Sequence, residues 1–206
     1  EPQMEKNRID QLIESKENQE DAKDIPFLKS LQSWFEKTGK LSEKQVKAFE
    51  KIEYLNSPEG KRDVALWAEE YPRLHKERAL VCARYYLANP PYFSDIAQLI
   101  LTLPDYIPTR NQFRAMCENK FTTKVWKEYN REPLYQKGDI VQVRDARTLP
   151  YNLAFMRKKL CVVVENKVPT IATHAQGAKV YRLLPFGSTS VVDCQERHVK
   201  AFKNKA

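Results

Sequence analysis

Gly138-Asp139-Ile140-Val141-Gln142-Val143-Arg144 decides the fold, because the periodicity of the chain changes there. It reads as a Gly-Asp turn followed by a strand. Glu132-Pro133 marks the break just upstream. Downstream, Leu160 to Val164 is β-branched and apolar, with Glu165-Asn166-Lys167 as the turn beyond it. Lys179 to Leu184 alternates polar and apolar, the mark of a half-buried strand, Pro185-Phe186-Gly187-Ser188 turns, and Thr189 to Asp193 pairs back as a hairpin. A helical turn from Cys194 to Arg197 and a strand from His198 to Phe202 complete five short strands. With a long first connection, residues 145–159, this order predicts a small barrel.

Upstream the pattern is helical. Pro26 stands at a first helical position, and Leu28, Leu31 and Phe35 follow on one face until Gly39 ends the helix. Ser42-Glu43-Lys44-Gln45 and Thr109-Arg110-Asn111-Gln112 are capping boxes, and Ser57-Pro58 opens another helix. Pro72 interrupts or restarts the pattern, Asn89-Pro90-Pro91 stops it, and Ser94 to Leu103 is a short apolar helix. The second box predicts one long helix to about Tyr129, and Trp34, Trp67 and Trp126 read as core residues. Residues 1–24 hold 8 acids against 4 bases, with Met4, Ile9, Leu12 and Ile13 as their main apolar residues. They read as a solvated, flexible leader, too charged for a secretory signal, and the opening Glu suits a cut terminus. The expected fold is a segregated α+β one: leader 1–24, all-α domain 25–132, five-stranded barrel 133–206.

Composition narrows the function. With 5 Gly in 206 residues, no phosphate-cradling glycine loop is present. The longest apolar runs, such as Leu160 to Val164, fall far short of the roughly 20 residues that span a bilayer. Cys82, Cys117, Cys161 and Cys194 are widely spaced, which suits buried thiols in a reducing compartment rather than a zinc or disulfide scaffold. His75, His174 and His198 have no Cys or carboxylate at metal-ligand spacing, and Cys194 with His198 lacks an orienting group. No cofactor, metal or catalysis is expected.

Charge is uneven. Residues 1–132 hold 22 Lys/Arg and 22 Asp/Glu, whereas 133–206 hold 13 and 5, so the whole net +8 lies in the last third. A basic block beside a neutral one points to an anionic partner, although solubility alone also explains a net charge of this size. Lys120, Lys124, Lys127 and Arg131 fall within a narrow sector of the expected long helix, a phosphate-facing stripe or a solvated face. Arg144, Arg147, Arg157, Lys158 and Lys159 bracket the first barrel connection, which also holds Tyr151 and Phe155. Exposed rings there would stack on bases, while the other reading folds Phe155 back as a lid and leaves Tyr151 open. Lys179, Arg182, Arg197 and Lys200 add charge on later strands.

The stretch from Lys137-Gly138-Asp139-Ile140-Val141 through Glu196-Arg197-His198-Val199-Lys200 resembles an SH3-like barrel of the KOW/Tudor-like kind. Asp145-Ala146-Arg147-Thr148 stands where that family carries a glycine after its first strand. Pro26-Phe27-Leu28-Lys29-Ser30-Leu31, followed by Gly39-Lys40-Leu41-Ser42-Glu43-Lys44-Gln45, is similar to a helical hairpin in helix-plus-barrel proteins of tailed bacteriophages. That likeness implies nucleic-acid metabolism in a host cytoplasm and assigns no site residues. The expected function is an intracellular, non-enzymatic accessory protein that binds DNA or RNA with low sequence specificity. The alternative is an adaptor docking on an acidic protein partner through helices and barrel. No membrane partner is expected.

Overall fold

The computed structural model describes residues 2–19 and 22–203. Glu1, Glu20 and Asp21 of the leader, the side chain of Met4 and the last three residues lie outside the described residues. The fold is α+β, with helices first and a five-stranded antiparallel sheet last. It forms two compact units, Glu1–Glu70 and Tyr71–Ala206.

The first unit holds α1 (Pro2–Asn18), α2 (Ile25–Thr38), α3 (Glu43–Asn56) and α4 (Pro58–Glu70). The expected solvated leader is instead largely α1. Ile9, Leu12 and Ile13 recur at helical spacing and are buried with Leu28, Leu31 and Phe49. The charges that suggest a tail lie on the flanks of this stripe and find partners. Arg8 holds Glu53 through two hydrogen bonds of 2.6 and 3.1 Å, and Lys16 pairs with Asp24 at 3.3 Å. The Ser42 capping box forms, and Gly39 closes α2 at φ 71°, a left-handed conformation that glycine adopts without Cβ strain. Trp67 is buried, but Trp34 stands half exposed and does not join a core.

The second unit begins with a π-helical turn, Tyr71–His75, followed by α5 (Lys76–Ala88) and α6 (Ser94–Thr102). Pro72, which lacks an N–H to donate, sits in this turn of altered hydrogen bonding. The long helix expected after Thr109 is two helices, α7 (Arg110–Cys117) and α8 (Lys120–Asn130). Asn119 breaks it: its Oδ1 accepts from the backbone N–H groups of Phe121 and Thr122 at 2.9 and 3.1 Å and starts a new helix.

The strands are β1 (Ile140–Val143), β2 (Leu160–Val168), β3 (Val180–Pro185), β4 (Val192–Gln195) and β5 (Val199–Ala201). They lie in the order β4-β3-β2-β1-β5, every neighbouring pair antiparallel. Alternation places Val141, Val143, Cys161, Val163, Tyr181, Leu183 and Val199 in one buried cluster. Glu165-Asn166-Lys167, expected as a turn, is an irregularity within β2 where the pairing register with β3 shifts. The Glu165 carboxylate accepts from the Asn166 and Lys167 N–H groups there, at 2.9 and 3.1 Å, so turn-forming polar residues serve a bulge.

The unit boundary falls at 70/71 rather than 132/133, because α8 is tied to the sheet by a joint of ionised groups. Arg131 Nη2 donates to Glu128 Oε1 at 2.7 Å and to Glu196 Oε1 at 2.5 Å. Glu196 also accepts from the Tyr181 hydroxyl at 2.5 Å and the Leu134 N–H at 3.1 Å. Lys179 is 1% exposed, its backbone N–H on Glu128 at 3.3 Å and its ammonium on the Tyr129 carbonyl at 2.7 Å. Buried charge persists only when paired in this way. Burial opposes ionisation of Glu128, yet the Arg131 guanidinium and the Lys179 N–H hold its carboxyl below the usual range.

Among the described residues no helix is long and apolar enough to cross a membrane.

Candidate nucleic-acid interface

Dividing the charge by unit sharpens its asymmetry. Residues 1–70 carry 12 Lys/Arg and 16 Asp/Glu, a net of −4, whereas residues 71–206 carry 23 and 11, a net of +12. Which of those cations face water depends on their neighbours.

The connection 144–159 is the best-formed cluster. Its base is closed by backbone hydrogen bonds, Lys158 N–H to the Val143 carbonyl and Val143 N–H to the Lys159 carbonyl, both 3.0 Å. Within it Tyr151–Met156 is a 3₁₀ helix. At three residues per turn, positions i and i+3 share a column. Leu153 and Met156 form one column and enter the core of the sheet, so Tyr151 and Phe155 fall on the other two. Tyr151 is 97% exposed and Phe155 62%, so Phe155 is no lid. Around them stand exposed Arg147, Arg157, Lys158 and Lys159, with the Lys159 ammonium 5.8 Å from the Phe155 ring centre. Lys158 adopts φ 62° and pairs with Asp145 at 3.1 Å. Arg144 directs its Nε to the Val199 carbonyl at 3.0 Å, which fastens the loop to β5.

On α8, Lys120, Lys124 and Lys127 are exposed and lie roughly opposite buried Thr122, Val125 and Tyr129 at about 100° per residue. The stripe therefore consists of three lysines. Arg131 leaves it, because residue 131 caps the helix in an extended conformation and its guanidinium is held by Glu128 and Glu196. Lys179 is buried, and Arg182 pairs across strands with Asp193 at 3.0 Å. These three side chains are structural, and a charge count alone does not separate them from the free ones.

All four cysteines are free and buried. Burial pushes the Cys194 thiol up to about 12, far from the thiolate a nucleophile needs. His198, four residues further along the chain, is buried with its Nδ1 lacking a hydrogen-bond partner among the described residues. It lines a groove of about 290 Å³ with Pro150, Leu153, Thr170, Val180 and Cys194, between the 144–159 connection and the 169–179 loop. Among the described residues no three His, Cys, Asp or Glu side chains gather as a metal site.

Sequence reasoning missed an aromatic cavity bordered by Tyr85, Tyr86, Tyr92 and Phe121. The doublet Tyr85-Tyr86 and the run Pro90-Pro91-Tyr92-Phe93 were its visible signals. The chain matches no protein-family model, no curated protein and no solved structure.

Proposed function

We propose that this chain is a non-enzymatic accessory protein that binds single-stranded nucleic acid with low sequence specificity through its second unit. The observation that carries the reading is the 144–159 connection, where two exposed rings stand among exposed cations on a loop closed at its base. Tyr151 and Phe155 stack on bases, and Arg147, Arg157 and Lys159 track phosphates, with Lys124 and Lys127 adding long-range attraction. No groove-reading helix is required, which fits low specificity. The strand order and the 3₁₀ turn before β5 support an SH3-like reading of the barrel, and the bacteriophage likeness supports a place beside nucleic-acid processing.

Filter-binding titrations of short single- and double-stranded DNA and RNA at two salt concentrations test this. Single strands are expected to bind more tightly, with affinity falling steeply as salt rises. Failure to bind any of the four strands at low salt ends the proposal.

A second reading, an adaptor for a protein partner, is favoured by the groove beside His198, where Pro150, Leu153, Val180 and Cys194 give an apolar lining bordered by Asn152, Asp193 and Gln195. Heparin separates the two. It displaces a partner held by loop cations and spares one seated in the groove.

A further inference from the structure

The cavity at the helical end of the second unit has the chemistry of a nucleotide site. It measures about 550 Å³, within the range of small-ligand pockets, and lies between α5, the Asn89–Phe93 segment and the start of α8. Its walls are aromatic for local reasons. Tyr85 and Tyr86 end α5 with ring centres 5.1 Å apart, and Phe93, at φ 53°, sets its ring 4.8 Å from Tyr86. A non-glycine residue in that region costs about 1 kcal/mol, so the surrounding contacts hold Phe93 there. Asn89 clamps the segment by donating from Nδ2 to the Tyr85 and Ala172 carbonyls at 2.8 and 2.7 Å. Phe121 supplies a further ring, and His174 lies 5.1 Å from it and 3.3 Å from the Tyr85 hydroxyl.

The polar groups are few, and the charged one is a cation. Lys120 lines the cavity with its ammonium 4.9 Å from the Phe121 ring centre, and among the described residues no carboxylate pairs it. Among the described residues no acidic side chain lines the cavity. The Tyr86 hydroxyl accepts from Asn119 at 2.6 Å and keeps its own proton to donate. Asn89 Oδ1 accepts no hydrogen bond among the described residues, so it is open to an amino group. Edge-on and tilted aromatic walls with one donor, one acceptor and one cation fit a flat heteroaromatic ring carrying a phosphate, and the Lys120 ammonium disfavours a cationic ligand.

We propose that this cavity binds a single nucleotide, its base between the aromatic walls and its phosphate on Lys120. The proposal deepens the nucleic-acid reading by making the cavity the seat of a strand end or a splayed-out base. It shares no residue with the 144–159 loop.

The test is calorimetric titration of the full chain with each of the four nucleoside 5′-monophosphates, then with the matching nucleoside and with inorganic phosphate. At least one monophosphate is expected to bind saturably, more tightly than its nucleoside, with no detectable uptake of phosphate alone. Tyr92 is 70% exposed and Lys120 lies on the surface, so Tyr92→Ala and Lys120→Gln are expected to keep the thermal midpoint of the wild type. Tyr92→Ala lowers nucleotide affinity roughly tenfold, and Lys120→Gln reduces the monophosphate to the level of its nucleoside. Joint replacement of Tyr151 and Phe155 by Ala leaves nucleotide affinity unchanged, so this site and the loop fail or survive separately. Absence of saturable binding at millimolar concentration overturns the proposal, as does equal affinity in Tyr92→Ala. A proline-rich peptide that occupies the cavity where no nucleotide does overturns it too.

Discussion

Arg131 and Lys179 carry the same charge as Arg147, Arg157 and Lys159, and the two sets live in opposite surroundings. The first pair is locked into the joint between α8 and the sheet by Glu128, Glu196 and the Tyr129 carbonyl. The second set stands in water on the 144–159 connection beside two exposed rings. In the joint, desolvated charge is held by geometry, and removal of one member strands the others. On the loop, charge is screened and contributes little to folding, so it is available to a polyanion.

The strongest challenge to that contrast is Glu196→Gln. It removes the carboxylate shared by Arg131 and Tyr181 and is expected to cost about 3 kcal/mol in urea denaturation. A cost within 0.5 kcal/mol, roughly that of an ordinary surface change, would show the joint to be dispensable. Next in size, Tyr151→Ala is expected to weaken single-strand binding by about 1–3 kcal/mol while leaving the urea midpoint unmoved. Equal binding by the variant would make the exposed ring incidental.

Smaller effects come from pH. Burial and the neighbouring Arg197 hold the His198 imidazolium below its usual range, so the unfolded chain takes that proton first. Stability therefore declines as pH falls through about 6.5, where the unfolded imidazole takes up its proton. Glu128 is also held low, so a second decline begins below about pH 4.3, where the unfolded carboxyl protonates. Urea midpoints between pH 8 and pH 3 read both. His198→Gln abolishes the first step and keeps the second.

Much of the fold was legible because its signals are short-range. The two capping boxes, the Gly39 cap, the strand after Gly138-Asp139 and the alternation in β3 depend on residues within a few positions, and each forms as read. Two of the departures have long-range causes and one is a local competition. The stripe of Ile9, Leu12 and Ile13 was present but outvoted by the charges around it, and only contact with Leu28 and Phe49 gives it something to bury. Asn119 competes with the helix for backbone donors, an effect hidden within an otherwise helical pattern. At the candidate site, the loop cations and rings were legible as a cluster. The burial of Lys179 and the capture of Arg131 were not, since Glu196 lies 65 residues from Arg131 along the chain.

The most direct measurement is the salt dependence of single-strand binding for Arg147→Gln/Arg157→Gln/Lys159→Gln beside the wild type. If these side chains neutralise phosphates, the slope of log affinity against log salt becomes shallower by about 2, with the urea midpoint unchanged. An unchanged slope would mean that the loop cations meet no phosphate, and the assignment of the interface would be wrong.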